Sequence, residues 1–320
     1  MSRSSKGLSA ARLNDSILGC FSHVQPSETL DHLVRYLGTW SGSDKLFMVI
    51  QYALKLIVPF LHLRARLQHR AGLRKTPTSN LAVNYGQLAS TLGEARRLWG
   101  IWGILPIYQW LISLERRPSE SRKILTIERL QGWAMILFFP LEHLSYLASH
   151  NILPAGITSP LSLFSSKKRK INLNPGTLSM WSCRLWGAYV LLHFAHLFED
   201  RKLILQRYAS MRRANGGTGL SDDNKAEMKQ RWDAYWSEVV INLGYLPLTV
   251  HWSLEKGLFT NEVWVGVFGL IAAVASFRSG WKATAISPAP SSPPVEQTKE
   301  NAIVSSPNSP YGYEIGQQSN

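Results

Sequence analysis

The chain has 320 residues, with 35 Lys and Arg against 21 Asp and Glu, a formal net charge of +14 and a mean hydropathy of −0.08. A polytopic transporter is usually more apolar than this, and a soluble domain rarely carries 12 Trp, 11 Tyr and 11 Phe beside such an excess of cations. The combination suits a protein at a membrane interface, where aromatic rings bury their bodies with polar tips wet and cations meet anionic headgroups.

Residues 1–25 read as a mobile tail with no apolar secretory core. Helix starts are expected at Ser27, ahead of Leu30, Leu33, Val34 and Leu37, and at Ser43. From Asp44 to Arg70, at about 100° per residue, Gln51, Lys55, His62, Arg66 and His69 share one narrow face. Leu46, Val49, Ile50, Leu54, Ile57, Phe60, Leu61 and Leu67 cover most of the rest, Arg64 is the exception, and Pro59 should bend the helix. A wide apolar face with a thin basic strip is what a helix needs to lie in a headgroup–acyl boundary. The membrane-binding set expected here is Leu46, Ile50, Leu54, Lys55, Ile57, Leu61, His62 and Arg66, with an anionic lipid bilayer as partner. From about Asn80, Leu81, Tyr85, Leu88, Leu92, Ala95 and Trp99 recur at alternating spacings of four and three. Such a narrow seam either packs against a neighbouring helix or joins a second copy of the chain in a homo-oligomer. Pro106 should interrupt this helix.

A further apolar helix is expected from about Ile124 to Ser149, and a basic loop over 154–179. Three charge-free runs follow, Leu185–Phe198, Val239–Leu254 and Val263–Phe277, each shorter than the roughly 20 residues of a perpendicular span. Cations flank the last two and Glu255 and Glu262 lie between them, which by the positive-inside tendency predicts a hairpin with both ends cytosolic. Gly269 and Ala273 allow close helix packing there. The Pro/Ser-rich composition from Ser287 onward predicts a disordered tail. It holds four Ser-Pro pairs, so Ser287, Ser292, Ser306 and Ser309 are candidate phosphorylation sites. The expected fold class is all-α. Its organisation is a tail (1–25), amphipathic membrane-remodelling helices (26–153), a basic loop (154–179), C-terminal membrane helices (180–285) and a disordered tail (286–320).

No enzyme chemistry emerges. Asn215-Gly216-Gly217-Thr218-Gly219 lacks the Lys of a phosphate-binding loop, and no G-x-S-x-G elbow or H-E-x-x-H motif occurs. His193 and His196, with Glu199 and Asp200 beyond, could be drawn as a metal site, but histidines on an aromatic helix are more often satisfied by packing neighbours. No metal and no cofactor is expected. Cys20 and Cys183 cannot build a disulfide framework. The run Lys167-Lys168-Arg169-Lys170 reads as a solvated loop or juxtamembrane anchor. With no C2H2, RNP or KH pattern to organise the cations, no nucleic-acid partner is expected.

Four segments carry a family resemblance. Asp44-Lys45-Leu46 with Gln51-Tyr52, and Glu94-Ala95-Arg96-Arg97-Leu98, are similar to early segments of the peroxin-11 family. Phe138 to Leu147 with Asn151-Ile152-Leu153 is similar to its aromatic and acidic block. Leu246 to Leu258 resembles the C-terminal block of a branch seen in filamentous fungi. The resemblance spans about residues 28–285, and Gly100 stands where the family has a second Arg. It implies peroxisomal membrane elongation and division, self-association, import by a peroxin-19-type receptor, fission by dynamin-type machinery, and cytosolic termini. From the residues alone, a channel or transporter for small metabolites is the alternative, with His193, His196 and Arg184 as its only candidate lining.

Overall fold

The computed structural model describes residues 17–19, 21, 24–119, 121–154, 156–158, 170–216 and 219–285. Ser287, Ser292, Ser306 and Ser309, the 286–320 tail, residues 167–169 of the cationic run and most of the expected N-terminal tail lie outside these. In chain order come α1 (Glu28–Leu37), α2 (Trp40–Arg70), α3 (Asn80–Trp99), a 3-10 turn (Gly100–Gly103), α4 (Ile104–Arg116) and α5 (Arg122–Ser149). They are followed by β1 (Gly156–Thr158), β2 (Lys170–Asn172), α6 (Pro175–Ala214), α7 (Asp222–Ser253) and α8 (Glu262–Ala283). The fold is all-α; the two short strands pair antiparallel inside the expected basic loop.

Local chemistry sets the helix starts. Ser27, Ser79, Asn174, Ser221 and Asn261 each accept a backbone N–H from the first turn that follows, satisfying a donor the helix cannot pair itself. Thr39, not Ser43, caps α2, by accepting from Gly42 N at 3.0 Å, so the helix begins at Trp40. Pro106 does not break the chain as expected. It sits in the first turn of α4, where a missing N–H costs no helical bond, and the break falls in the 3-10 turn instead. Likewise α6 starts at Pro175, inside the span expected to be loop.

Neighbouring helices follow the chain for the most part. α5 packs on α6, α6 on α7 and α7 on α8; α8 closes back onto α2, α2 onto α3, and α4 onto α5. One core joins them, built from Met48 and Tyr52 of α2, Phe138 and Phe139 of α5, Val190 of α6, Leu248 of α7 and Val265 and Ala272 of α8. Gly269 does allow close packing, but against α2 and not within the expected hairpin. A Cβ at Gly269 would run into the Tyr52 ring, and Ala273 is fully buried. Beyond the main core, α6 and α7 continue as an antiparallel arm with its own small cluster of Ile204, Met211 and Met228.

Among the described residues three helices, α2, α5 and α8, are long and apolar enough to cross a membrane by length and composition. Of the two limbs expected to form the C-terminal hairpin, only α8 reaches that standard. The most apolar stretch of α2 is only 17% buried within the protein, against 50% for that of α5. α2 therefore leaves most of its apolar surface to be covered by something else.

Candidate membrane-facing surface and the polar seam beneath it

The outer face of α2 presents Phe47, Ile50, Ile57, Phe60, Leu63 and Leu67, each more than a third exposed. Of the expected membrane-binding residues, Ile50 and Ile57 lie on this face and Arg66 is exposed, while Leu46, Leu61, Lys55 and His62 are half-buried. Leu54 turns inward and is buried. Lys55 folds over the Tyr52 ring at 5.8 Å.

The inner face explains where the polar strip begins. Gln51 does not face out: its Oε1 accepts from Arg96 of α3 at 2.9 Å. The same guanidinium forks onto Asp44 through Nε at 2.8 Å and a second nitrogen at 3.2 Å. Burial opposes the charge on Arg96, and the Asp44 carboxylate more than restores it, holding its pKa above the ordinary guanidinium value. Lys45 is buried beside this group, at 5% exposure. The first turns of α2 are thus fastened to α3 by a fork of charge-assisted bonds, and the basic strip turns outward only further along the helix.

α3 meets α2 through small residues. Ala82 and Ala89 are buried, and a Cβ at Gly93 would collide with the Gln51 amide. The four–three seam lies to one side of this contact: Leu81, Leu88 and Trp99 are exposed at 50, 46 and 60%, with Tyr85 and Leu92 half-buried. The seam is a second apolar face that the fold leaves uncovered. It runs into Ile101, Trp102, Leu105 and Tyr108, all exposed.

Between α5, α6 and α7 runs a buried polar seam. Gln131 donates to His193 Nδ1 at 3.1 Å, which leaves the ring proton on Nε2, 3.3 Å from Glu238 at an angle that forms no hydrogen bond. One turn along, His196 Nδ1 bonds Asp200 at 2.8 Å and Nε2 faces Glu128 at 3.5 Å. Glu128, Gln131, His193 and His196 are each no more than 3% exposed. The seam sets His196 between Glu128 and Asp200 and lets Gln131 and His193 satisfy one another inside otherwise apolar helices. His193 and His196 are singled out by sequence; Glu128, Gln131 and Glu238 are not. Their signal was a polar i, i+3 pair (Glu128, Gln131) on an otherwise apolar helix, facing the i, i+3 histidines.

The C-terminal block acquires a structural reason. His251 Nδ1 accepts from both Leu258 N (2.9 Å) and Phe259 N (3.1 Å), tying the end of α7 to the turn before α8. Gly257 has φ +69° there, and a Cβ on it would strike the His251 ring. At the other end of this helix pair, α1 seals α8: His32 bonds Trp281 O and Thr284 Oγ1 at 3.0 Å, and Arg35 Nε donates to Thr284 O at 3.0 Å.

A family model described as Peroxisomal biogenesis factor 11 (PEX11) matches residues 30–281, a span that includes all eight helices except the first two residues of α1 and the last two of α8. No curated protein and no solved structure matches the chain.

Proposed function

The chain belongs to the peroxisomal biogenesis factor 11 (PEX11) family, and from that premise we propose that it elongates and remodels the peroxisomal membrane and so promotes peroxisome division and proliferation. Membership makes it a peroxisomal membrane protein with a part in proliferation, in a family of biogenesis factors and not of enzymes. The observation that carries the finer reading is the outer face of α2, apolar, long and uncovered by the rest of the protein. Such a face sinks into the acyl boundary while Lys55, His62 and Arg66 meet lipid phosphates, and expanding one leaflet in this way bends the membrane.

The test uses full-length protein added to anionic vesicles, with tubulation scored by electron microscopy. Ile57→Glu with Phe60→Glu removes two large apolar groups worth about 1.5–3 kcal/mol each and should abolish tubulation. Leu54 is left alone, because its loss would test folding. Tubulation at the wild-type level in the double variant would sink the reading. Lys55→Glu with Arg66→Glu should weaken binding most at low salt, since surface charge is screened over about 8 Å at physiological ionic strength.

Self-association is assigned to the uncovered α3 seam of Leu81, Tyr85, Leu88, Leu92 and Trp99. Import by a peroxin-19-type receptor and fission by dynamin-type machinery belong to the same reading. Cytosolic termini are supported by the contacts of α1 with the end of α8, which bring the two ends of the matched region together. Protease added to intact peroxisomes should then remove an epitope attached after Asn320. A second reading, a channel for small metabolites, draws on the polar seam of His193 and His196, yet that seam is closed and self-paired. Solute flux through protein-bearing vesicles would favour it.

A further inference from the structure

A groove of about 580 Å³ opens between the first turns of α5 and the middle of α6. Arg122, Lys123 and Thr126 form one lip, Glu199 the other, and Ile127, Ala195 and Phe198 the floor. Lys202 stands beside it, bonded to Glu199 at 2.9 Å and 4.3 Å above the Phe198 ring. Three cations against one carboxylate leave the mouth positive. The Phe198 ring is 59% exposed, although it lies in a floor otherwise made of apolar groups.

Two further features give the groove a direction and a fixed width. From Ile127 an exposed apolar track continues along α5 through Leu130, Trp133 and Leu137, and along α6 through Leu191. Behind the floor, Glu128 faces His196 and Gln131 bonds His193, so the residues next to Ile127 and Ala195 bind the two walls together. α5 is one of the three helices able to span by length and composition, and Arg122 and Lys123 open its first turn, ahead of the apolar stretch. The positive mouth therefore stands at headgroup level, with the apolar track leading toward the acyl layer.

We propose that this groove binds one anionic membrane phospholipid, its headgroup held by Arg122 and Lys123 and an acyl chain laid along Ile127, Ala195 and Phe198. Zwitterionic phosphatidylcholine carries the same phosphate, but its ammonium would face the same cations. The groove thus selects for net negative charge at a fixed point on the protein, separate from the general attraction of α2 for the surface. The inference rests on the membrane reading above.

Full-length protein is reconstituted in phosphatidylcholine nanodiscs doped with either phosphatidylserine or phosphatidylcholine bearing the same acyl-chain diazirine. After illumination, adducts are mapped by peptide mass spectrometry. Phosphatidylserine should label the Ile127 and Ala195–Phe198 peptides about thirtyfold more than phosphatidylcholine, the order that two cations near a headgroup command, while α2 and α8 label alike with both. Arg122→Gln with Lys123→Gln should erase the preference, and Lys225→Gln with Lys229→Gln, an equal charge loss elsewhere, should keep it. Excess inorganic phosphate should leave the labelling unchanged. Equal labelling by the two lipids, a preference that survives Arg122→Gln with Lys123→Gln, or displacement by phosphate would each overturn the proposal. Failure of the membrane reading looks different: neither lipid would then label α2, α5 or α8, and both readings would fall together.

Discussion

Removing Asp44 should loosen α3 from α2, by an amount the geometry sets. Asp44→Ala leaves Arg96 with Gln51 as its remaining side-chain acceptor in a site where the two charged partners keep only 19 and 16% of their side-chain exposure. Breaking a buried pair from one side costs about 3–5 kcal/mol, and the residual exposure argues for the lower end, about 3 kcal/mol. Arg96→Met, which keeps the apolar stem, should cost a similar amount by stranding Asp44. The double variant strands neither charge, so its loss should fall well short of the sum, leaving a coupling of about 2–3 kcal/mol. Denaturant unfolding in detergent micelles, followed by Trp fluorescence, measures all three. A coupling below about 0.5 kcal/mol, the value of an exposed pair, would refute the reasoning. It would mean that Asp44 and Arg96 face solvent or headgroups and that α3 is not fastened to α2.

Three further outcomes are expected. His251→Ala leaves the Leu258 and Phe259 amides without their shared acceptor, at about 1–3 kcal/mol; hydrogen exchange at those two amides should accelerate, and unchanged protection would count against the turn described. The Lys282 ammonium bonded to Asp233 holds its carboxyl below the usual range. That link is fully present above the unfolded carboxylate value of about 3.9 and is lost as pH falls through the lower folded value. Protease access to the last turn of α8, around Arg278 to Ala283, should therefore rise only in acid below about pH 4, and a rise between pH 5 and 8 would contradict it. Replacing Ser287, Ser292, Ser306 and Ser309 by Ala removes four sites at which each phosphate would add about −1.5 to −2 charge. Peroxisome number should fall short under proliferating conditions, and normal number and length would leave the tail a spacer.

What could be read in the sequence was what depends on neighbours along the chain. The apolar run of α2, the cap at Ser27 and the uncharged stretch that becomes α8 are local patterns, and the helices follow them. The 100° wheel that set Gln51 beside Lys55, His62 and Arg66 was correct as geometry. It could not say that the first turns of that strip face Arg96, because that partner comes from 45 residues further on. The α3 seam shows the same gap from the other side. Large residues at four–three spacing looked like the packing face, yet Ala82, Ala89 and Gly93 let α3 approach α2 closely and the seam turns away. Pro106 was read as a break because position within the helix, first turn or interior, decides what a proline does, and a sequence does not display that position. His193 and His196 were visible as a pair, but their meaning lies in Glu128 and Glu238 on two other helices.

The buried seam also constrains how the protein can be delivered to its membrane. A lone α5 released into lipid would carry Glu128 and Gln131 without their partners, and an ionised side chain within a hydrocarbon layer costs up to about 2.5–3.5 kcal/mol at the centre and less nearer the headgroups. A lone α6 would keep the His196–Asp200 bond within its own helix but would separate His193 from Gln131. Neither helix suits a stepwise, one-at-a-time entry. Pairing among α5, α6 and α7 lowers the cost of burying these groups, which favours entry of the three helices together over entry one at a time.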